Sequence, residues 1–168
     1  MKFYDRTEQI QELQAIREQA FEKHSTLTIV TGRRRIGKTT LIEKAMGEGM
    51  YVYFFVGKKS EAILCTEYAV EIRSKLGIFV PSGITSFKDI FGLLMEAGTS
   101  RQFTLVIDEF QNFIDINESV YSDMQNYWDK YRLKSHINLI VCGSVYSLME
   151  KLFKNRKEPL YGRCDNTI

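Results

Sequence analysis

Cysteine and histidine are scarce: Cys65, Cys142 and Cys164 are the only cysteines in 168 residues, and there are two histidines. The number of cysteines is odd and no spacing is C-x-x-C. So few thiols and imidazoles indicate neither a disulfide framework nor a zinc site, and the cysteines read as reduced packing residues. Long hydrophobic runs are missing too. None approaches the ~20 apolar residues of a membrane-spanning helix, and the N-terminus has no signal-like apolar segment, so the expected location is the cytoplasm with no membrane partner. Charge of one sign is also lacking. A net charge of +2 does not by itself argue for nucleic acid, because a phosphate backbone calls for a clustered basic face. No internal repeat or low-complexity tract interrupts the chain. Its 44% hydrophobic and 26% charged residues suit one ordinary core-forming domain.

Against this plain background one stretch stands out. Gly32-Arg33-Arg34-Arg35-Ile36-Gly37-Lys38-Thr39 fits G-x-x-x-x-G-K-[ST], the loop that cradles nucleotide phosphates. Its flanks are the ones the motif requires. Leu27 to Val30 reads as a buried strand, and Thr40 to Met46 as a helix whose free N–H groups face an anion. Gly32 and Gly37 permit the turns that aim successive amides inward, a concave nest of partial positive charge. Lys38 would reach the β- and γ-phosphates, and the Thr39 hydroxyl is placed to ligate Mg²⁺, which prefers oxygen ligands. Residues 32–40, Thr40 included, are therefore the candidate nucleotide-binding segment. The bland alternative is a glycine-turned strand-to-helix loop that binds nothing.

A phosphate loop needs a second, acidic element for hydrolysis. Phe103-Thr104-Leu105-Val106-Ile107 is a run of strand formers ending in Asp108-Glu109, the pattern of a Walker B element. Asp108 would hold Mg²⁺ through water, and Glu109 would be the base that orients or activates the attacking water. Adjacent carboxylates fit poorly in a core, so their place after an apolar run favours chemistry over packing, the alternative being a solvated strand end. Ile137 to Cys142 forms the next strand, followed by Gly143-Ser144. Ser144 is open to two readings: a hydrogen-bond donor sensing the γ-phosphate, or a cap on the following helix, Val145 to Phe153.

Elsewhere strands and helices alternate. A capping-box-like Asp5-x-x-Glu8 precedes an amphipathic helix carrying Ile10, Leu13, Ala20 and Phe21. Tyr51 to Val56 is a strand, Ser60 to Leu76 and Phe87 to Ala97 are helices, and Pro81-Ser82-Gly83 marks a loop. In the helix Glu118 to Leu133, Val120, Met124, Tyr127, Trp128 and Tyr131 recur at helical spacing and read as core. Two basic clusters, Arg33-Arg34-Arg35 and Lys151, Lys154, Arg156 and Lys157, are solvated loop charges or docking points for DNA, a protein partner or a neighbouring subunit. The expected fold is α/β: a P-loop NTPase core in which helices cover both faces of a mainly parallel sheet, a three-layer α/β/α sandwich spanning residues 1–168 as one domain. Ligands would bind at the carboxyl ends of its strands.

Several blocks together resemble a known family. Phe3-Tyr4-Asp5-Arg6-Thr7-Glu8, the segment from Thr31 to Ile42, Leu105-Val106-Ile107-Asp108-Glu109-Phe110-Gln111, Cys142-Gly143-Ser144 and Pro159-Leu160-Tyr161-Gly162-Arg163 look like the archaeal-type ATPases, relatives of the AAA+ and STAND ATPases. The resemblance implies that Tyr4 and Arg6 line the adenine side of the pocket. It also implies that Arg163 senses or stabilises the γ-phosphate, in its own subunit or across an interface of a homo-oligomer. Family members continue into a helical lid and a winged-helix-like domain that these residues do not supply, so weak affinity and low turnover are expected of this segment. The expected function is an Mg²⁺-dependent ATPase domain acting as a nucleotide-driven switch or motor on a protein partner. No Asn-Lys-x-Asp guanine motif is present, which with the resemblance favours ATP over GTP. The alternatives are a nucleotide-binding module with little hydrolysis and a P-loop small-molecule kinase.

Overall fold

The computed structural model describes residues 6–31, 37–47 and 49–168. Among these residues β1 (Thr26–Thr31), β2 (Tyr51–Phe55), β3 (Gln102–Asp108), β4 (His136–Gly143) and β5 (Asn166–Thr167) form one sheet in the order β2-β3-β4-β1-β5, with every neighbouring pair parallel. Parallel neighbours require crossovers, and helices supply them. α1 (Thr7–Glu22) precedes β1 and α2 (Lys38–Met46) joins β1 to β2. α3 (Glu61–Leu76) and α4 (Phe87–Ala97) lead to β3, α5 (Phe113–Ile116) and α6 (Val120–Tyr131) lead to β4, and α7 (Tyr146–Lys154) leads to β5.

The period-two alternation of the strands sorts the core into two layers. Phe103, Leu105 and Ile107 of β3, with Ile137, Leu139 and Val141 of β4, pack beneath α3, α4, α6 and α7. Val106, Ile140, Cys142 and Val30 face the other way, against Leu13 of α1 and Leu41, Ile42 and Ala45 of α2. The three-layer α/β/α architecture follows. The exposed edge of β2 is blunted by α3, where Glu71 accepts the Tyr53 amide at 2.9 Å and the Tyr68 hydroxyl donates to the Phe55 carbonyl at 2.8 Å.

The stripe on α6 is core, as its spacing predicts: Val120, Met124 and Trp128 are buried, while Tyr127 and Tyr131 are half-buried and stack at 6.4 Å. Trp128→Ala should destabilise the fold by about 3–5 kcal/mol, the usual cost of emptying a buried aromatic site. Urea unfolding would read this directly, and a midpoint unmoved from wild type would contradict the core assignment.

Several boundaries differ from the sequence expectation. α2 starts at Lys38 rather than Thr40, so the motif lysine opens the helix. α1 has Arg6 as its N-cap without a side-chain cap bond, placing the start one residue later than a capping box on Asp5 requires; Asp5 itself lies outside the described residues. Ser60 does cap α3, accepting the Ile63 amide at 3.3 Å. β5 carries no sequence pattern at two residues, and is held as a strand by the adjoining Ile168, whose amide donates to the Ile29 carbonyl at 2.8 Å. No helix among the described residues is long and apolar enough to cross a membrane.

Candidate functional site

Thr31, Asp108 and Gly143 are the last residues of β1, β3 and β4, so three central strands end at one edge, where open α/β sheets bind ligands. Gly37 adopts φ 84°, the left-handed region that glycine enters without penalty, and turns the chain into α2. Lys38 follows as the first helical residue. Only 8% of it is exposed, an unusual burial for lysine. Thr39 and Thr40 are exposed on the same turn. Gly32, Arg33, Arg34, Arg35, Ile36 and Tyr4 lie outside the described residues. Arg6 stands at the start of α1, its carbonyl accepting the Ile10 amide at 2.9 Å.

Asp108 falls on the α2 side of the sheet because strand alternation puts it in step with Thr104 and Val106. It is 8% exposed. Its Oδ1 accepts the Glu109 amide at 2.9 Å, and its Oδ2 accepts the hydroxyl of Tyr53. Burial pushes the Tyr53 phenol well above its ordinary range and the bond and charge of Asp108 push it further, so it keeps its proton at neutral pH. The buried Cys142 thiol is likewise raised, first by burial and then by Asp108. Tyr53 escaped the sequence reading. The signal was there: Tyr51 and Tyr53 alternate with Val52 and Phe54, and β2 pairs Phe55 with Asp108.

Glu109 has φ 55°, the sole positive φ of any non-glycine residue among those described. A left-handed carboxylate residue costs on the order of 1–3 kcal/mol and persists only where its surroundings hold it. Here they do. Its Oε2 accepts the Gln111 amide at 2.6 Å and the Ser144 hydroxyl at 2.9 Å. Ser144 thus does not cap α7, whose N-cap is Val145 with no side-chain cap bond. Gly143 is needed by close approach: a Cβ there would stand 2.5 Å from Met149 Sδ and 2.7 Å from Gln111 Oε1. Asn112 ties the turn to the neighbouring strand by donating to the Val56 carbonyl at 2.8 Å.

Comparison with known proteins fits this geometry. The model of a family described as an ATPase domain predominantly from Archaea matches residues 3–168. The chain belongs to that family. This archaeal-type ATPase domain is 30% identical over 161 residues to an uncharacterized protein of Methanocaldococcus jannaschii, covering 96% of this chain and 34% of the relative. Among solved structures, the Walker-type ATPase of Pyrococcus abyssi superposes with a TM-score of 0.73 at 21% identity, over 99% of this chain and 53% of that one. The ORC1 protein of Aeropyrum pernix, solved in complex with DNA, superposes with a TM-score of 0.67 at 12% identity, over 99% of this chain and 45% of that one. The chain thus spans about a third of its curated relative and about half of these structures, and the structural likenesses establish the P-loop ATPase fold.

The ATPase domain does not bring Arg163 to this edge. Its guanidinium forms a bidentate pair with Asp129, at 2.7 and 3.1 Å, and donates to the Tyr161 carbonyl at 2.7 Å. Asp129 lies in the last turn of α6, and Asp165, two residues beyond Arg163, bonds both the amide and carbonyl of Leu27 at the start of β1. Arg163 therefore sits at the amino end of the sheet, opposite the strand ends that carry Lys38 and Glu109. The expectation of a γ-phosphate contact within its own subunit is corrected on that ground. Arg163→Ala should leave ATP affinity of this domain unchanged and cost at most about 1 kcal/mol of stability, as befits a partly exposed ion pair; a drop in affinity by titration would contradict this placement.

Among the described residues no group of three or more His, Cys, Asp or Glu side chains could hold a metal ion. Mg²⁺ does not require one, because it takes one or two protein oxygens and completes its shell with phosphates and water. The Thr39 hydroxyl and the Asp108 carboxylate, both hard oxygen donors, are the residues that would supply such oxygens.

Proposed function

We propose that the domain binds ATP with Mg²⁺ and hydrolyses it to ADP and phosphate. The observation that carries this reading is the placing of Glu109: a strained, buried carboxylate beside Asp108, held by Gln111 and Ser144 at the strand ends that carry Lys38. The loop amides of residues 32–37 and the Lys38 ammonium take the β- and γ-phosphates, and Thr39 and Asp108 hold Mg²⁺. The ion, when bound, neutralises charge on the phosphate oxygens. Glu109 orients a water in line with the β–γ bridge and takes its proton as the water oxygen bonds to the γ-phosphorus, while the bridging oxygen leaves with ADP. Ser144 fixes the carboxylate's direction and senses the γ-phosphate.

Phosphate release from ATP, measured with Mg²⁺ and again with a chelator in excess, tests this. Release above the protein-free rate only with Mg²⁺ supports hydrolysis. Nucleotide binding without release would favour a second reading, a sensing module, which one observation supports: the Gln111 and Ser144 donors converge on a single oxygen of Glu109 and occupy lone pairs that would otherwise meet the water.

A nucleotide-driven switch or motor acting on a protein partner or a second copy is the biological role we favour, with Arg163 available only to a neighbour's nucleotide. DNA is the weaker partner. The basic cluster at the end of α7 is partly neutralised, Lys151 pairing with Glu158 at 3.5 Å and Lys154 with Glu150 at 3.0 Å. A mobility shift with duplex DNA at physiological salt would reverse that preference.

A further inference from the structure

We propose that Gln111 is a positioning residue for the reaction, its carboxamide holding the Glu109 carboxylate in place once ATP has bound. This inference rests on the proposed role of Glu109 as base. Two donors meet Glu109 Oε2, the Gln111 amide at 2.6 Å and the Ser144 hydroxyl at 2.9 Å. They are not equivalent. A hydroxyl carries one proton, so a Ser144 that donates to a γ-phosphate no longer donates to Glu109. The Gln111 amide has no such second duty, and it is the donor that stays with the carboxylate.

The surroundings force the orientation of that amide. Asn112 donates from Nδ2 to the Val56 carbonyl at 2.8 Å, which turns its Oδ1 toward Gln111, whose Nε2 stands 3.5 Å away. An ionised carboxylate on one side and an amide oxygen on the other can only accept, so Gln111 must present its nitrogen to them. Its oxygen is driven the other way. Gln111 Oε1 is buried without a hydrogen-bond partner among the described residues, 2.7 Å from where a Cβ on Gly143 would stand. An orphaned acceptor opposes folding, and at a position only 3% exposed an apolar side chain of the same length would avoid it. The turn keeps a glutamine nonetheless, and it keeps Glu109 in the left-handed region as well. Both costs fall on one short turn, and both serve the placing of one carboxylate.

The test splits turnover from binding. Gln111→Met keeps the length of the side chain and removes its amide. ATP affinity is measured by calorimetry with Mg²⁺, single-turnover phosphate release is followed on ATP-loaded protein, and urea unfolding establishes that the variant is folded. The expected result is an ATP affinity within about twofold of wild type with release slowed about 10- to 100-fold, the scale of a lost hydrogen bond to a charged group. In a Glu109→Gln background the same substitution should cost no further rate, because no base is left to hold. Gln111→Asn, which keeps an amide but shortens its reach, should show the same split and stands in if the methionine variant does not fold. An unchanged rate in either folded variant overturns the positioning role, as does a rate loss matched by a loss of ATP affinity or an equal loss in the Glu109→Gln background. A wild type that binds ATP and releases no phosphate would overturn the assignment of Glu109 as base and this inference with it, a distinct outcome.

Discussion

Lys38→Ala is expected to abolish ATP binding at concentrations that saturate the wild type. The reason is local. Lys38 is the first residue of α2, turned in by the left-handed Gly37 and 8% exposed, so its ammonium is a positive charge held in a partly desolvated place at the strand ends. Removing one partner of such a charge pair costs about 2–5 kcal/mol, roughly 30- to several-thousand-fold in affinity. The fold should survive, because alanine is a better helix former than lysine and α2 keeps Leu41, Ile42, Ala45 and Met46 in the core. Calorimetric titration reads the loss, with circular dichroism as the control. An affinity within threefold of wild type would remove the phosphate-loop reading.

Glu109→Gln should do the opposite, holding ATP with affinity close to wild type while lowering phosphate release by about 10²–10⁴-fold, the contribution of a placed general base. Glutamine has the same shape and can still accept one of the bonds from Gln111 and Ser144, so the turn around residues 108–112 need not rearrange. Its amide cannot take a proton from water. Single-turnover phosphate release on ATP-loaded protein measures the chemical step apart from product release. Persistence of the wild-type rate would assign the base elsewhere.

Much of this was legible in the sequence because each part is local. The alternation of Phe103 to Asp108 places the apolar side chains in the core and Asp108 on the α2 face, and Gly37-Lys38-Thr39 declares a strand-to-helix turn without reference to the rest of the chain. What the sequence concealed depends on residues far apart meeting. Tyr53 reaches Asp108 only because β2 crosses over to pair with β3, and Gln111 reaches Glu109 only through the left-handed turn at Glu109. Ser144 offered two roles, and its choice of Glu109 over the α7 amides required the position of β4 beside β3. The distance of Arg163 from these strand ends was concealed for a related reason: a motif says which residue type recurs, and the chain after α7 carries it to Asp129.

The measurement that bears most directly on the account is a calorimetric titration of ATP into the wild-type chain in Mg²⁺, with GTP titrated in parallel. Saturable binding of one ATP per chain, tighter than GTP, is the predicted result. The absence of saturable binding of either nucleotide would contradict the claim that Lys38, Asp108 and Glu109 form a nucleotide site.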